Sequence, residues 1–336
     1  MTTKSYLPYV LGCLLVISAC FGVEIYRLYQ PMPIKSGETI IFRVDKSASA
    51  KTFVYILKSQ HLIHSDRLFL AWIRLNRLSA QLQAGIYQVK QGESAAQLLR
   101  RVAHGDVLKQ QFRIIEGTTW KQVTVNLAHA SYLNYQKNDW QYINAGELTS
   151  SHQNQSNLEG LLLADTYQYL AGSPASDLLN QAHQRLKQYL MQSWQQRDPQ
   201  LKYKNPYELL IVASILEKET AITEERRLIS GIIMNRLASH MPLQMDPTII
   251  YGLGIAYNGK LTHDDLQIDS PYNTYRYSGL PPTPIAMVGK DAIDAASHPR
   301  KTNYLYFVAK GDGTHIFSET YEQQRRAIKR YLRKAS

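Results

Sequence analysis

Apolar residues run without a charge from Tyr6 to Val23, then give way to Glu24, Arg27 and the proline pair Pro31 and Pro33. A run of that length sits at the short end of what crosses a bilayer as a helix. Residues 24–37 read as a connector. From Glu38 to Val44, apolar and polar side chains alternate as in a half-buried strand, and residues 83–89 form a second such run. Helical patterns fill 49–59 and 65–76, and Ser94 opens another that carries apolar Ala96, Leu98, Leu99 and Val102. Two strands bracketing helices predict a small α+β module over 38–108. A strand-like run at 110–115 then leads into the turn Glu116-Gly117-Thr118. Beyond 120 the pattern is mainly helical up to 240, interrupted by a Gln/Asn-rich patch at 136–157. Near the end, residues 304–309 and 315–317 flank Gly311-Asp312-Gly313, a hairpin signal, and Thr320 caps a last basic helix over 321–332. Its charges read as a solvated face. The expected fold class is α+β: an N-terminal helix at 6–23, the small module, and a larger, mainly helical domain over 109–336 closed by a β-hairpin.

One helix breaks the amphipathic rule. In residues 205–222 Asn205 is a good N-cap, Pro206 suits the first helical position, and Glu208 completes a capping-box spacing. From Leu209 to Leu216 every residue but Ser214 is apolar, so this helix is buried rather than laid on the surface. It runs straight into Glu217-Lys218-Glu219-Thr220. At about 100° per residue, the two glutamates sit about 80° to either side of the most apolar face. Glu219 continues the stripe of Ile211 and Ile215, with Ile222 one turn on. A carboxylate on an apolar stripe is desolvated and its pKa rises, the state a general acid needs near neutral pH. Spacing alone also fits a plainer arrangement, in which both are the solvated end of a buried helix paired with Lys218 or Arg226.

Composition narrows the setting. An apolar fraction of 44% with 13 Pro and 18 Gly belongs to a folded protein rather than a disordered one. A net charge of +11 suits polyanionic surroundings, whether nucleic acid, anionic lipid or acidic wall polymers. The N-terminal run points outside the cytoplasm, which removes nucleic acid. A cleaved signal peptide, a retained anchor and a lipoprotein signal all begin this way, and Ile17-Ser18-Ala19-Cys20 resembles a lipobox. The favoured expectation is a retained single-pass anchor, with 1–5 in the cytoplasm and 24–336 beyond the inner (cytoplasmic) membrane. Both cysteines, Cys13 and Cys20, fall inside the run, about 10 Å apart along a helix and too far for a disulfide. The exported part has no thiol, which excludes cysteine nucleophiles and thiolate zinc sites. His263, His298 and His315 lack ligand spacing, so neither metal nor cofactor is expected.

The run from Ala213 to Thr220, ASILEKET, resembles the active-site motif of the endolytic murein transglycosylase (YceG-like) family. Further matches follow in order: Ile233-Met234-Asn235-Arg236-Leu237, Leu243-Gln244-Met245-Asp246-Pro247-Thr248, Tyr257-Asn258-Gly259-Lys260-Leu261, Tyr272-Asn273-Thr274-Tyr275, Gly279-Leu280-Pro281-Pro282 and His298-Pro299. Upstream, Leu158-Glu159-Gly160 and Asp165-Thr166-Tyr167 match too, although Ala164 stands where the family usually has Pro. The resemblance covers about 38 to the C-terminus and implies that the 38–108 module is LysM-like and the 109–336 domain catalytic.

What it implies further is cleavage of the MurNAc-β-1,4-GlcNAc bond of peptidoglycan, leaving 1,6-anhydroMurNAc ends and limiting the length of nascent strands. One carboxyl group acts as acid and then as base. The family's catalytic residue aligns with Glu219, Glu217 becomes a supporting partner, and Thr220 parallels the hydroxyl that steadies the carboxyl in other lytic transglycosylases. Gln244, Asp246, Thr248, Tyr272, Asn273 and Tyr275 are candidates for lining the sugar cleft, although Asp246-Pro247 and Pro281-Pro282 are equally turn chemistry. The expected partners are glycan strands and peptidoglycan synthases (penicillin-binding proteins). Two readings stay open beside this one. A muramidase would use Asp246 or Glu217 as a second carboxylate, and a wall-binding scaffold would use neither.

Overall fold

The computed structural model describes residues 7–144, 148 and 158–331. Helix α1 spans Leu7–Leu28 and takes in the uncharged run from Leu7 onward. Among the described residues no helix is long and apolar enough to cross a membrane. The stretch 1–5 expected in the cytoplasm, most of the Gln/Asn-rich patch and the side chain of Cys20, where a lipid was an alternative, lie outside the described residues.

By its internal contacts the chain forms two compact units, one of residues 1–110 with 169–173 and one of 111–168 with 174–336. In the first unit, β1 (Ile41–Val44) and β2 (Gly85–Gln88) pair antiparallel, Ile41 opposite Gln88 and Val44 opposite Gly85. Between them lie α2 (Ala50–Ser59) and α3 (Asp66–Leu75), and α4 (Ala95–Ala103) follows. The caps are those the sequence offers. The Ser49, Ser65 and Ser94 hydroxyls accept from the third helical N–H, and Gln97 completes a capping box with Ser94. Phe42, Phe53, Phe69, Tyr87 and Leu98 interlock in the core, with Phe42 stacked on Tyr87 at 5.9 Å.

The second unit is mixed rather than purely helical. Strand β3 (Lys109–Arg113), whose last three residues belong to this unit, pairs with β4 (Thr166–Leu170), whose first three do, a strand set in a region expected to be helical. Its alternate burial, with Tyr167 and Tyr169 inward, is the period-2 pattern that a short run between turns hides among longer helices. Helices α5 (Trp120–Ala128), α6 (Ala175–Gln195), α7 (Pro206–Glu219), α8 (Thr223–Ala238), α9 (Asp246–Leu253) and α10 (Lys290–Ser297) follow. The hairpin is present as β5 (Tyr306–Ala309) and β6 (His315–Ser318), and α11 (Tyr321–Tyr331) closes the described chain.

Helix α7 is the axis of this unit, packed by α6, α8, α9 and α10. Asn205 Oδ1 accepts from Glu208 N at 2.9 Å, and residues 209–216 are all buried. Ser214 satisfies itself there, donating to the Ile211 carbonyl at 2.7 Å and accepting from Ile285 N at 3.0 Å. That second bond fixes the segment leading into α10. On α8, a Cβ at Gly231 would fall 2.2 Å from the Arg300 carbonyl, so only glycine allows the 300–302 segment to lie so close.

Candidate active site

The end of α7, the start of α9 and the 270–277 turn meet around Glu219. Helix α9 is clasped to the turn by Thr274, whose carbonyl accepts from Gln244 N at 2.9 Å and whose hydroxyl accepts from Met245 N at 3.0 Å. From α8, the buried Arg236 reaches the Pro242 and Leu243 carbonyls, Gln244 Oε1 at 3.1 Å and the Leu305 carbonyl at 2.7 Å. Burial lowers its pKa. Asn235 beside it donates to the Thr302 and Tyr304 carbonyls. The Asn-Arg pair thus braces the loops on either side of the site.

The two glutamates of α7, symmetric on a bare helix, have different surroundings. Glu217 is paired. Its Oε1 accepts from Arg226 Nη2 at 3.1 Å and its Oε2 from Gly289 N at 2.8 Å, and the Arg226 and Glu217 side chains are only 8% and 5% exposed. Burial pushes its pKa up, while the Gly289 N–H and Arg226 pull it back. Glu219 is half-buried as a residue, yet its Oε2 is sealed from solvent and has no hydrogen-bond partner among the described residues. Burial raises its pKa to about 7, and the negative charge of Asp246 adds to the effect. Asp246, the first residue of α9, accepts from Tyr275 Oη at 2.6 Å. The Tyr275 hydroxyl is raised chiefly by burial, then by Asp246 and Glu219. A carboxyl able to hold a proton near neutrality, with a carboxylate and a phenol beside it, can give and take a proton at one atom.

The remaining candidates divide. Gln244 is exposed with φ +52°, while Tyr272 and Tyr275 are half-buried. These three and Asp246 present surface at the site. Thr248 and Asn273 do not. Thr248 is fully buried, donating to the Met245 carbonyl and bonded to Thr274 at 2.8 Å. Asn273, also fully buried, ties the Leu266 and Ile268 carbonyls to Tyr275 N. Both shape the turn from behind and reach no open cleft. Thr220 departs from expectation as well. Its hydroxyl accepts from Ile222 N at 3.1 Å rather than steadying Glu219, and its carbonyl receives Arg226.

Sequence reasoning did not single out Glu159 as a site residue. It is 7% exposed, accepts from Trp120 N at 3.0 Å and Tyr251 Oη at 3.2 Å, and burial pushes its pKa up to about 7. The signals were its place in the matched block Leu158-Glu159-Gly160 and its apolar company, Leu158 before it and Leu161-Leu162-Leu163 after. Among the described residues no cluster of His, Cys, Asp and Glu could hold a metal ion.

The chain is similar to a Bacillus subtilis protein named endolytic murein transglycosylase, 29% identical over 322 residues that cover 91% of this chain and 88% of that one. A Streptococcus pneumoniae protein of the same name is 38% identical over 158 residues, 45% of this chain and 28% of that longer protein. A crystal structure of a YceG-like protein from Listeria monocytogenes superposes with a TM-score of 0.53 at 26% identity, covering 86% of this chain and 99% of that chain. The YceG-like family model matches residues 42–330, and with nearly the whole chain matched the protein belongs to the YceG-like family.

Proposed function

We propose that the protein is an endolytic peptidoglycan lytic transglycosylase with Glu219 as its single acid and base. The observation that carries this reading is the Glu219 carboxyl, sealed at Oε2, unpartnered there, and raised to about 7. Protonated, it gives its proton to the glycosidic oxygen as the C1–O bond breaks. The carboxylate left behind takes the proton of the muramic C6 hydroxyl, whose oxygen closes on C1. The proton lost in the first step returns in the second, and no water is consumed. Burial and then the negative charge of Asp246 keep the acid protonated, Tyr275 holding Asp246 in place by its hydrogen bond, with Gln244 and Tyr272 at the substrate-facing surface. The same-named relatives support the assignment.

Hydrolysis of the same bond is the rival reading, and Asp246 beside Glu219 is the observation in its favour. The products separate the two. Digests of purified glycan strands should carry 1,6-anhydro ends, lighter by one water than reducing ends. Mass spectra containing reducing ends alone would make the protein a muramidase.

The membrane setting belongs to the same proposal. The uncharged run that α1 takes in supports a single-pass anchor, holding the catalytic unit on the outer side of the cytoplasmic membrane near peptidoglycan synthases. The β1-α2-α3-β2 order of the first unit supports a LysM-like, wall-binding role for 38–108. Intact mass of the protein extracted from membranes should show the full N-terminus. Loss of residues 1–19 with a lipid on Cys20 would replace the helix by a lipid anchor.

A further inference from the structure

A second opening lies next to the site, between α5 and α9, with a volume of about 700 Å³. Lys218, the residue before Glu219, and Pro247, the residue after Asp246, both line it, so it is built on the same two helix ends that carry the acid and its neighbouring carboxylate. Its lips are apolar and unusually exposed. Val125 on α5 is 53% exposed, and Ile255 in the turn after α9 is 90% exposed. Facing apolar side chains left in water on both sides of one groove mark a surface that a ligand covers. Polar groups line it too. The side chain of Asn126, exposed on α5, makes no hydrogen bond among the described residues, its backbone carbonyl alone accepting from His129 N. Gln122 spends only its carbonyl oxygen, on the Thr119 cap, and keeps its amide N–H groups. At the floor sits Glu159, its carboxyl fixed by Trp120 N and Tyr251 Oη.

Paired amide groups beside exposed methyl-bearing side chains match the two halves of an acetamido substituent, one polar and one apolar. We propose that this groove is the subsite for the N-acetylated sugar next to the scissile bond, with Asn126 and Gln122 binding its amide and Val125 and Ile255 closing over its methyl. Glu159 sets the width of the groove by tying the first turn of α5 to Tyr251 on α9. The inference rests on the transglycosylase reading only for the position of Glu219, because sugar binding is independent of the product formed. A stem peptide is the competing occupant, since Lys218 at the edge could meet a carboxylate.

The test is binding by the full chain in detergent carrying Glu219→Gln, so that nothing is cleaved. Calorimetry would use hexa-N-acetylchitohexaose, cellohexaose and a stem peptide alone as probes. Cellohexaose has the same β-1,4 backbone without acetamido groups, and all three leave the identity of the cleavage product out of the measurement. The N-acetylated oligomer should bind at least tenfold more tightly than cellohexaose. Asn126→Ala and Ile255→Asp, both exposed positions, should each weaken it about tenfold with the thermal midpoint unchanged. Equal affinity for both oligomers, or unchanged affinity in both groove variants, overturns the proposal. Binding of the peptide alone that these variants abolish reassigns the groove to the stem peptide. Failure of the transglycosylase reading would appear elsewhere, as reducing ends in wild-type digests.

Discussion

Replacing Glu219 by Gln should lower glycan cleavage by about 10²–10⁴-fold, the range for losing a general acid–base group, while leaving the fold intact. The amide keeps the size of the side chain and can be buried without a charge, so thermal unfolding should not move. The wild-type pH profile follows from the same carboxyl. Its pKa is raised to about 7, and the acid form is the one that starts the reaction, so kcat/KM should fall as pH rises through about 7. Asp246→Asn removes the negative charge that helps hold that proton. The Glu219 pKa then drops, and the falling limb of the profile should move to lower pH. Asn can still accept from Tyr275, so the hydrogen bond itself need not be lost. Full activity in Glu219→Gln together with a folded, inactive Glu217→Gln would shift the catalytic role to Glu217. An unmoved limb in Asp246→Asn would remove Asp246 from the electrostatics of the site.

Local chemistry made α7 legible in advance. A cap, a proline at the first position and a run apolar on all sides can belong only to a helix surrounded by others, and α6, α8, α9 and α10 do surround it. Spacing offered Arg226 to either glutamate of α7, and which of them it takes is decided by the fold rather than by the helix. Arg226 lies on the next helix and the Gly289 N–H comes from a segment some seventy residues on. The same limit applied to Thr248 and Asn273. A polar residue in a turn lines a cleft or braces the backbone according to which side the rest of the chain covers, and sequence spacing does not contain that information. Strand β4 escaped notice because five residues show too little periodicity against the helices around them. Glu159 stood in one of the matched family blocks but had no spacing that marked it as a site residue, and its bonds to Trp120 and Tyr251 span 39 and 92 residues.

Arg226→Met should be the most destabilising single change near the site, by about 3–5 kcal/mol, the usual cost of leaving one partner of a buried ion pair alone. Two losses combine in it. Glu217, 5% exposed, keeps only the Gly289 N–H, and the Thr220 carbonyl at the end of α7 loses both bonds from the guanidinium. For a unit of this size the thermal midpoint should drop by roughly 6–20 °C. The deficit should also depend on pH in a definite direction. In the variant the Glu217 pKa, already above 4.5 beside Arg226, rises further in the folded state, whereas the unfolded chain keeps the ordinary value. Between those two values the folded state binds more protons than the unfolded one, so stability falls as pH rises through the window. The variant should therefore be closest to wild type below about pH 4.5, where Glu217 is neutral in both states, and furthest from it once pH has passed the folded pKa. Adding Glu217→Gln to Arg226→Met removes the stranded charge and should recover much of the loss, leaving the uncapped Thr220 carbonyl as the residual. Thermal and denaturant unfolding across pH 4–8 measure all three proteins. A single variant within about 1 kcal/mol of wild type at pH 8, or a double variant no better than the single, would mean that the pair contributes nothing beyond its packing.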